Sequence, residues 1–462
     1  MNLRVQDFFE KIKNKKIAFC GIGTSNLPII KLFLEKGVNI LACDIIEREN
    51  ASKEILELES LGINLKLGKD YLKNLDADVI FRSPGINFLS PELIKARENG
   101  ITVTSEMEVF FDLCPCKIIA VTGSDGKTTT TTIISKILES AGKTVHLGGN
   151  IGTPLLPKIE NIHKDDVAVV ELSSFQLMSM RKSPDIAVIT NIEPNHLDIH
   201  KDMSEYVLAK KNIFLHQDAF SKTVLNFDNE LTKSFSDDCR GKTLFFSLSE
   251  KVPMGVFCKD NVIFYKDSNR EIPILKPKDI KLPGKHNLAN YMAAICAVFE
   301  DVTPQDIFNV AKTFSGVEHR IEFVRELNGV KYYNDSIASS PTRVTKGILS
   351  LFDQKIILIC GGYDKKIPFD ALADKIIDKV KILILMGQTA DKIETAIKKS
   401  SKYNGINPKI IRVKNMEQAV NFAYSNSSCN DIVSLSPACA SFDLYKNFDE
   451  RGKHFKSLVN AL

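Results

Sequence analysis

Short apolar runs alternate with helix-length amphipathic segments along nearly all of the chain. A strand covered on both faces needs such a run, and the helix after it needs one apolar face, so the alternation predicts parallel α/β architecture. The predicted strands fall into three successive groups: 17–20, 38–43 and 79–81; 118–121, 167–172, 186–191 and 224–226; and 331–333, 356–360, 382–386, 410–413 and 432–435.

The pattern changes between about residues 243 and 274, where helical periodicity gives way to short alternating pieces. Such pieces are typical of antiparallel strands, so we predict a β insertion there, followed by a helix over 287–300. The breaks between the strand groups place domain boundaries near residues 112 and 318, which divides the chain into 1–112, 113–318 and 319–462.

Composition narrows the class of protein. The 462 residues are 44% hydrophobic and 26% charged, which is typical of globular proteins and excludes disordered and collagen-like chains. A net charge of +4 is too small to hold a nucleic acid or an anionic membrane, although a local phosphate site stays compatible with it. The spacing of the ten cysteines does not suit a disulfide framework or a zinc site. With no apolar stretch of signal-peptide or membrane-spanning length, we predict a cytoplasmic protein.

The strongest local signal is the segment from Ile118 to Thr130, where an apolar strand meets a glycine turn and Lys-Thr-Thr opens a long helix. Glycines let the backbone approach a phosphate, and the helix amides point at the anion. Lys127 suits the β- and γ-phosphates of a nucleotide, and the Thr128 hydroxyl suits magnesium. Val121 stands where the usual phosphate loop has glycine, so the loop is a variant. A chance turn before a helix is the alternative, and nucleotide binding is favoured.

A second glycine turn, residues 21–26, follows the first strand, and Asp44 ends the next one. Asn26 replaces the third glycine of the dinucleotide fingerprint. Two interpretations stay open: an ordinary strand-to-helix turn, or a site for a nucleotide diphosphate. An NAD-type dehydrogenase would rest on this turn and Asp44 alone.

Other polar side chains follow predicted strands. Glu171 ends a buried strand, where a carboxylate is well placed to bind magnesium. His196 lies in a polar loop and, taken alone, is more often structural than catalytic. Asp335 and Ser441 each link a strand to a helix, and either one caps that helix or contributes to a ligand site.

Taken together, these segments resemble the Mur ligase family over essentially the whole chain. Within the family, the last segments resemble the branch that adds D-glutamate. The matching segments are 122–129 (TGSDGKTT), 148–152 (GGNIG), 171–176 (ELSSFQ), 195–198 (NHLD), 284–290 (GKHNLAN), 319–320 (HR), 334–336 (NDS), 436–441 (SPACAS), 446–448 (KNF) and 451–452 (RG).

The resemblance implies an α/β fold of three domains: a Rossmann-like N-terminal domain for the UDP-sugar substrate, a central P-loop ATPase domain with a β insertion, and a Rossmann-like C-terminal domain for the amino acid. It implies a monomer that uses ATP to join D-glutamate to UDP-N-acetylmuramoyl-L-alanine in peptidoglycan precursor synthesis. The route would be an acyl phosphate and then a tetrahedral intermediate. The alternatives are another amide ligase of the family, including one like folylpolyglutamate synthetase, and a non-catalytic nucleotide-binding protein.

The resemblance also assigns roles to residues. Lys127, His196 and Lys210 would be catalytic. Lys210 would be carbamylated; Lys211 is adjacent, but Tyr206 four residues before Lys210 favours Lys210. Two magnesium ions would be bound by Thr128, Glu171, His196 and Lys210. The other expected contacts are Gly123, Gly126, Lys127, Thr128, Thr129, Asn290, Arg320 and Asp335 for ATP, Ser25, Asp44, Ser83 and Asn150 for the UDP-sugar substrate, and Ser339, Lys365, Ser441, Phe442 and Phe448 for D-glutamate.

Overall fold

The computed structural model describes residues 3–23, 25–194, 200–365 and 367–462. The chain forms two compact units, Met1–Phe314 and Ser315–Leu462. The first unit holds two sheets and the second holds one. The predicted boundaries near 112 and 318 stay predictions. Over the described ranges, no helix combines the length and the apolar character needed to cross a bilayer.

The first sheet is fully parallel, with strand order β3-β2-β1-β4-β5. This is the order of half a doubly wound fold, and the Rossmann-like prediction is confirmed. Ala18 and Ile80 in the central strands are fully buried because helices cover both faces. Its elements are α1 Leu3–Ile12, β1 Lys16–Cys20, α2 Leu27–Glu35, β2 Asn39–Asp44, α3 Lys53–Ser60, β3 Asn64–Leu67, β4 Val79–Arg82, α4 Pro91–Glu98, β5 Thr102–Thr104 and α5 Glu106–Leu113.

The central sheet has nine strands in the order β14-β13-β12-β11-β10-β9-β6-β8-β7. The strands expected between 243 and 274 are present and extend this sheet at one edge, with only β13 and β14 antiparallel to their neighbours. Its elements are β6 Lys117–Thr122, α6 Lys127–Ser140, β7 Val145–Gly149, β8 Val167–Glu171, α7 Ser174–Leu177, β9 Ile186–Ile189, α8 Met203–Lys211, β10 Lys222–Asn226, α9 Glu230–Ser234, β11 Lys242–Ser247, β12 Gly255–Lys259, β13 Val262–Lys266, β14 Glu271–Leu275, α10 Lys285–Val298 and α11 Pro304–Thr313.

The second unit is built on a six-stranded sheet of order β15-β16-β20-β17-β18-β19, parallel except for the β15–β16 pair. Ile357 and Val433 in its middle strands are fully buried. Its elements are β15 Glu322–Leu327, β16 Val330–Asn334, α12 Pro341–Lys346, α13 Ile348–Leu351, β17 Ile356–Cys360, α14 Asp370–Lys379, β18 Val380–Leu385, α15 Ala390–Lys399, β19 Lys409–Arg412, α16 Met416–Ser425, β20 Ile432–Leu435 and α17 Phe448–Ala461.

Candidate functional site

The loop between β6 and α6 wraps around the start of α6. Gly126 precedes this helix with φ +80°, and a Cβ at this position would lie 2.3 Å from Asn290 Oδ1, so only glycine fits. Lys127 Nζ donates hydrogen bonds of 2.9 Å to the carbonyl oxygens of Gly123 and Ser124. The first amides of α6 have no intrahelical acceptor, so the loop offers N–H donors and a cation to an anion.

Two buried oxygen ligands lie beside this loop. The Thr128 hydroxyl, in the first turn of α6, donates to Glu171 Oε2 at 2.7 Å from the end of β8. Asn150 Nδ2 donates to the other carboxylate oxygen of Glu171, also at 2.7 Å. A hydroxyl and a carboxylate at this spacing suit magnesium, which prefers hard oxygen ligands.

Lys210 reaches the same loop from α8. Its side chain is buried, and Nζ donates to the Gly123 carbonyl oxygen at 2.8 Å and to Thr122 Oγ1 at 3.2 Å. Burial, helped by the nearby Lys127 ammonium, holds the pKa of Lys210 well below its usual value. Lys211 instead lies half-buried and pairs with Asp238. The structure therefore places Lys210, and not Lys211, against the phosphate loop.

Asn290 lies against the phosphate loop from α10. Its Oδ1 accepts a hydrogen bond of 3.3 Å from Thr130 Oγ1, and its side chain fills the space beside Gly126. The neighbouring Thr129 is buried in the first turn of α6. These contacts bring the expected ATP-binding residues of the first unit together.

The histidine loop is described only in part, because His196 lies outside the described residues. His200 is buried between Ser174 Oγ at 2.9 Å and Glu205 Oε1 at 3.0 Å, and its ring stacks on Phe175. Both ring nitrogens of His200 therefore have protein partners.

The glycine turn of the first sheet is held by side chains at its two ends. Asp44 accepts hydrogen bonds from the amides of Ile22 at 2.6 Å and Ile46 at 3.0 Å. Asn26 is fully buried, and its amide donates to the Gly21 carbonyl oxygen at 2.9 Å. This bond ties the Asn26 side chain to the glycine turn. Ser25 lies half-buried at the end of the same turn.

In the second unit, Asp335 follows β16 and is buried. Ser436 Oγ donates to its Oδ2 at 3.1 Å, and the amide of Ile321 donates to its Oδ1 at 3.2 Å. Burial raises the pKa of Asp335 to about 7, although these donors and the charges of Arg320 and Arg343 act against that rise. Asp335 and Arg320 thus lie close enough to interact.

Four of the five residues expected to contact D-glutamate lie on loops at the carboxyl ends of β16, β17 and β20: Ser339, Lys365, Ser441 and Phe442. Lys365 Nζ donates to Ser339 Oγ at 3.4 Å. The amide of Tyr363 donates to the carbonyl oxygen of Ala440, the residue before the buried Ser441, at 3.0 Å. The exposed ring of Phe442 packs edge-on against Tyr363, at 5.9 Å between centroids.

Phe448 lies at a different place, at the start of α17. Its ring packs against His319 at 5.9 Å, and its carbonyl oxygen accepts from Ser336 Oγ at 2.7 Å. Phe448 therefore contacts the Asn334–Ser336 loop, where Asp335 lies.

Arg451 connects these loops, a role that sequence reasoning missed. Its buried guanidinium donates to Ser336 Oγ at 3.0 Å and to the carbonyl oxygens of Ser336, Cys439 and Ala440 at 2.8, 3.2 and 3.0 Å. The Arg-Gly pair in the last helix was part of the family resemblance, but nothing in its sequence context distinguishes a buried arginine from an exposed one.

Three protein-family models match the chain, one over each of its three sheets. The Mur ligase MurD-like N-terminal domain model matches residues 15–105, the Mur ligase middle domain model matches 121–298, and the Mur ligase glutamate ligase domain model matches 319–439. The solved structure of UDP-N-acetylmuramate-alanine ligase from Thermotoga maritima has a TM-score of 0.58 and 18% identity, covering 97% of this chain and 100% of its own. At that identity it shows the fold alone.

Closer relatives are found by sequence. The UDP-N-acetylmuramoylalanine--D-glutamate ligase of Acetivibrio thermocellus is 51% identical over 465 residues, and the enzyme of the same name from Clostridium botulinum is 49% identical over 463, each alignment covering 100% of both chains. The predicted resemblance to the D-glutamate-adding branch is confirmed. Family models over all three sheets and relatives at this identity over the full length show that the chain belongs to the Mur ligase family.

Proposed function

We propose that the chain is an ATP-dependent, ADP-forming ligase that joins D-glutamate to UDP-N-acetylmuramoyl-L-alanine in peptidoglycan precursor synthesis. The observation that carries the proposal is the convergence of Lys127, Thr128, Glu171 and Lys210 on one phosphate loop. Full-length relatives named for this reaction support the choice of substrates.

The chemistry requires activation of a carboxylate, because a carboxylate cannot expel oxide at neutral pH. Transfer of the γ-phosphoryl group of ATP to the terminal carboxylate of UDP-N-acetylmuramoyl-L-alanine forms an acyl phosphate and releases ADP. The amine of D-glutamate then adds to the acyl carbon, and the tetrahedral intermediate expels phosphate and a proton to give the amide. Lys127 stabilises the negative charge on the transferring phosphoryl group.

Mur ligases use ATP and Mg²⁺, and the residues here fit that metal. Thr128 Oγ1 and Glu171 Oε2 are buried, 2.7 Å apart, and beside the loop that would hold the phosphates. When bound, Mg²⁺ neutralises phosphate charge. We assign a first ion to Thr128 and Glu171 and a second to His196 and Lys210.

Lysine is an ammonium at neutral pH, so Lys210 needs a change of charge to bind a metal ion. Its lowered pKa favours the neutral amine, which reacts with carbon dioxide to give a carbamate and one proton. Loss of a proton and formation of the N–C bond together convert the lysine ammonium into a carbamate anion. The carbamate oxygens of Lys210 would then be available to hold Mg²⁺.

The remaining contacts are divided among the substrates. Gly123, Gly126 and Thr129 of the loop, Asn290, Arg320 and Asp335 bind ATP; Ser25, Asp44, Ser83 and Asn150 bind the UDP-sugar substrate; and Ser339, Lys365, Ser441, Phe442 and Phe448 bind D-glutamate. Asn150 is the best supported of the UDP-sugar contacts, because its amide already touches Glu171 at the metal site.

Phosphate release with a panel of amino acids tests the function. With ATP, Mg²⁺ and UDP-N-acetylmuramoyl-L-alanine, we expect turnover with D-glutamate at least about a thousandfold faster than with L-glutamate, D-alanine or lysine. D-alanine and lysine lack the distal carboxylate and leave the pocket's donors unpaired, and L-glutamate cannot place both carboxylates and the attacking amine at the same positions. Faster turnover with another amino acid would assign the chain to a different branch of the family.

The D-glutamate pocket makes a second prediction. Lys365→Ala is expected to raise the KM for D-glutamate by about tenfold to a hundredfold, since it removes a charge-assisted bond to the distal carboxylate. Ser441→Ala removes one neutral donor, so we expect a rise of about threefold to tenfold. The measurement is initial rate against D-glutamate concentration at saturating ATP.

Lys375→Ala is the matched control for this experiment, because Lys375 is an exposed lysine on the neighbouring helix α14. Its KM for D-glutamate should equal that of the wild type, and the KM for ATP should stay nearly unchanged in all three variants. Normal D-glutamate kinetics in both Lys365→Ala and Ser441→Ala would refute the assignment of this pocket to D-glutamate.

A further inference from the structure

Arg82 is a buried charge at the carboxyl end of β4, the edge of a parallel sheet where ligands bind. The turn Ser83–Gly85 follows it directly. Gly21 of the glycine turn approaches this segment so closely that a Cβ there would lie 2.4 Å from Ser83 Oγ. The position of the Ser83–Gly85 turn therefore fixes the shape of the pocket beside the glycine turn.

The guanidinium of Arg82 forms hydrogen bonds with segments that follow strands of both sheets of the first unit. One nitrogen donates to the carbonyl oxygen of Ile86 at 3.1 Å, which closes the turn on its own side. The other donates to the carbonyl oxygen of Phe175 at 3.0 Å and to Ser179 Oγ at 2.7 Å, both in the segment after β8. A planar, forked cation is suited to holding several acceptors at fixed angles, which a lysine cannot do.

Glu108 balances this charge. Its Oε2 accepts hydrogen bonds from Ser179 Oγ at 3.0 Å and Ser105 Oγ at 2.8 Å, and Ser105 caps α5. The result is a hydrogen-bonded chain from Arg82 through Ser179 and Glu108 to Ser105, in which Glu108 is half-buried and the other three residues are buried. Loss of one charged member of such a chain leaves the other charge, partly withdrawn from water, without its partner.

A cavity of about 20 Å³ lies between the segments that this chain ties together. Its wall includes Pro84, which lies between Arg82 and its acceptor Ile86, and Gln176, which lies between the acceptors Phe175 and Ser179. Ser25 and Gly149, which precedes the assigned contact Asn150, line the same cavity, together with Ser105, Glu106, Met107 and Pro154. Segments from both sheets thus meet at one small space, and the hydrogen bonds of Arg82 join two of these segments.

We propose that Arg82 is a positioning residue for the UDP-sugar substrate: it locks the Ser83–Gly85 turn of the first sheet onto the segment after Glu171, so that UDP-sugar contacts and metal ligands keep one fixed spacing. The inference rests on the proposed function for the identity of that substrate. Arg82 acts through the turn and through Ser179, and it makes no substrate contact itself.

The test is the kinetics of Arg82→Met, which keeps most of the side-chain volume and removes the donors. We expect the KM for UDP-N-acetylmuramoyl-L-alanine to rise on the order of tenfold to a hundredfold, because small displacements of substrate-positioning segments are costly. The KM values for ATP and D-glutamate should stay within about twofold of the wild type, since their assigned contacts lie on other segments. Calorimetric titration with UDP-N-acetylmuramoyl-L-alanine, without ATP, should show the same loss of affinity.

Arg97→Met is the matched control. Arg97 donates to the Phe88 carbonyl oxygen at 2.8 Å and packs on the Phe88 ring, so it supports the same loop without reaching the central sheet. Its KM for the UDP-sugar substrate should be that of the wild type. An equal rise in Arg97→Met and Arg82→Met would mean that any loosening of the loop has this effect, and it would overturn the proposal.

Two milder variants decide the question if Arg82→Met does not fold. Arg82→Lys keeps the charge but not the fork, and Ser179→Ala removes one acceptor; both should raise the same KM by a smaller factor than Arg82→Met would. Unchanged KM in the folded variants, with a wild type that turns over UDP-N-acetylmuramoyl-L-alanine and D-glutamate, refutes the role of Arg82. A wild type that does not turn over these substrates instead refutes the proposed function.

Discussion

Replacing Lys127 with alanine is expected to lower kcat by at least about a thousandfold, because the transferring phosphoryl group loses a cation that the loop holds beside it. Lys127 Nζ lies 2.9 Å from two carbonyl oxygens of its own loop. It is therefore already fixed where the phosphates would bind. The measurement is phosphate release at saturating ATP, D-glutamate and UDP-N-acetylmuramoyl-L-alanine.

The fold should survive this change. Two hydrogen bonds of the half-buried Lys127 side chain are lost, which we expect to lower the free energy of unfolding by about 1–3 kcal/mol. Lys136→Ala is the control on the same helix, because Lys136 pairs with Glu139 at the surface, at 2.8 Å, and should keep full activity. Near-normal turnover by folded Lys127→Ala would refute the assignment of this loop to ATP.

How well the fold could be predicted depended on where each strand lies in its sheet. Most interior strands are continuous apolar runs, because helices cover both of their faces, and these runs were predicted as strands. The interior strands β11, β12 and β13 were predicted only as short pieces of a β insertion, without bounds of their own. Four strands were missed, namely β3, β5, β7 and β15, and each is an edge strand. These four are partly open to solvent and carry polar residues, as in Thr102–Thr104, so no apolar run marks them, whereas the edge strand β19 has such a run and was predicted.

The candidate site could be predicted where one short segment carries the chemistry. The glycines, Lys127 and Thr128 are contiguous, and their spacing alone indicates a phosphate site. Glu171 was predicted from its place at a strand end, and the structure puts it 2.7 Å from Thr128. The edge of a parallel sheet gathers such strand ends, which is why residues far apart in the sequence could be expected to lie close together here.

The buried ties between segments could not be predicted. Arg82 and Arg451 bond to residues more than 90 positions away in the chain, at Phe175 and Ser336. A single arginine in the sequence is most often exposed, so only the packing of distant segments reveals these two. Asn26 is a third case, because its bond to the Gly21 carbonyl oxygen depends on the path of the backbone through the turn.

Substitution of Lys210 is expected to have the second large effect on activity, and the surroundings of this side chain indicate why. A buried ammonium beside Lys127 is unfavourable, and the pKa of Lys210 falls accordingly. The neutral amine can take up carbon dioxide, and the resulting anion would lie beside the Lys127 cation and the assigned metal site. Carbamylation would therefore place an anion beside the Lys127 ammonium, where an ammonium on Lys210 is unfavourable.

Lys210→Ala is accordingly expected to lose activity by on the order of a hundredfold to a thousandfold, because the metal site loses an anionic ligand. Adding formate or acetate should restore part of the activity, since a short carboxylate fits the space of the missing carbamate; the same concentration of chloride should not. Lys211→Ala should stay active, because Lys211 lies apart from the loop and pairs with Asp238. An active Lys210→Ala with an inactive Lys211→Ala would move the role by one residue. An inactive Lys210→Ala that no carboxylate rescues would show that the lysine acts as an amine or ammonium and would refute the carbamate.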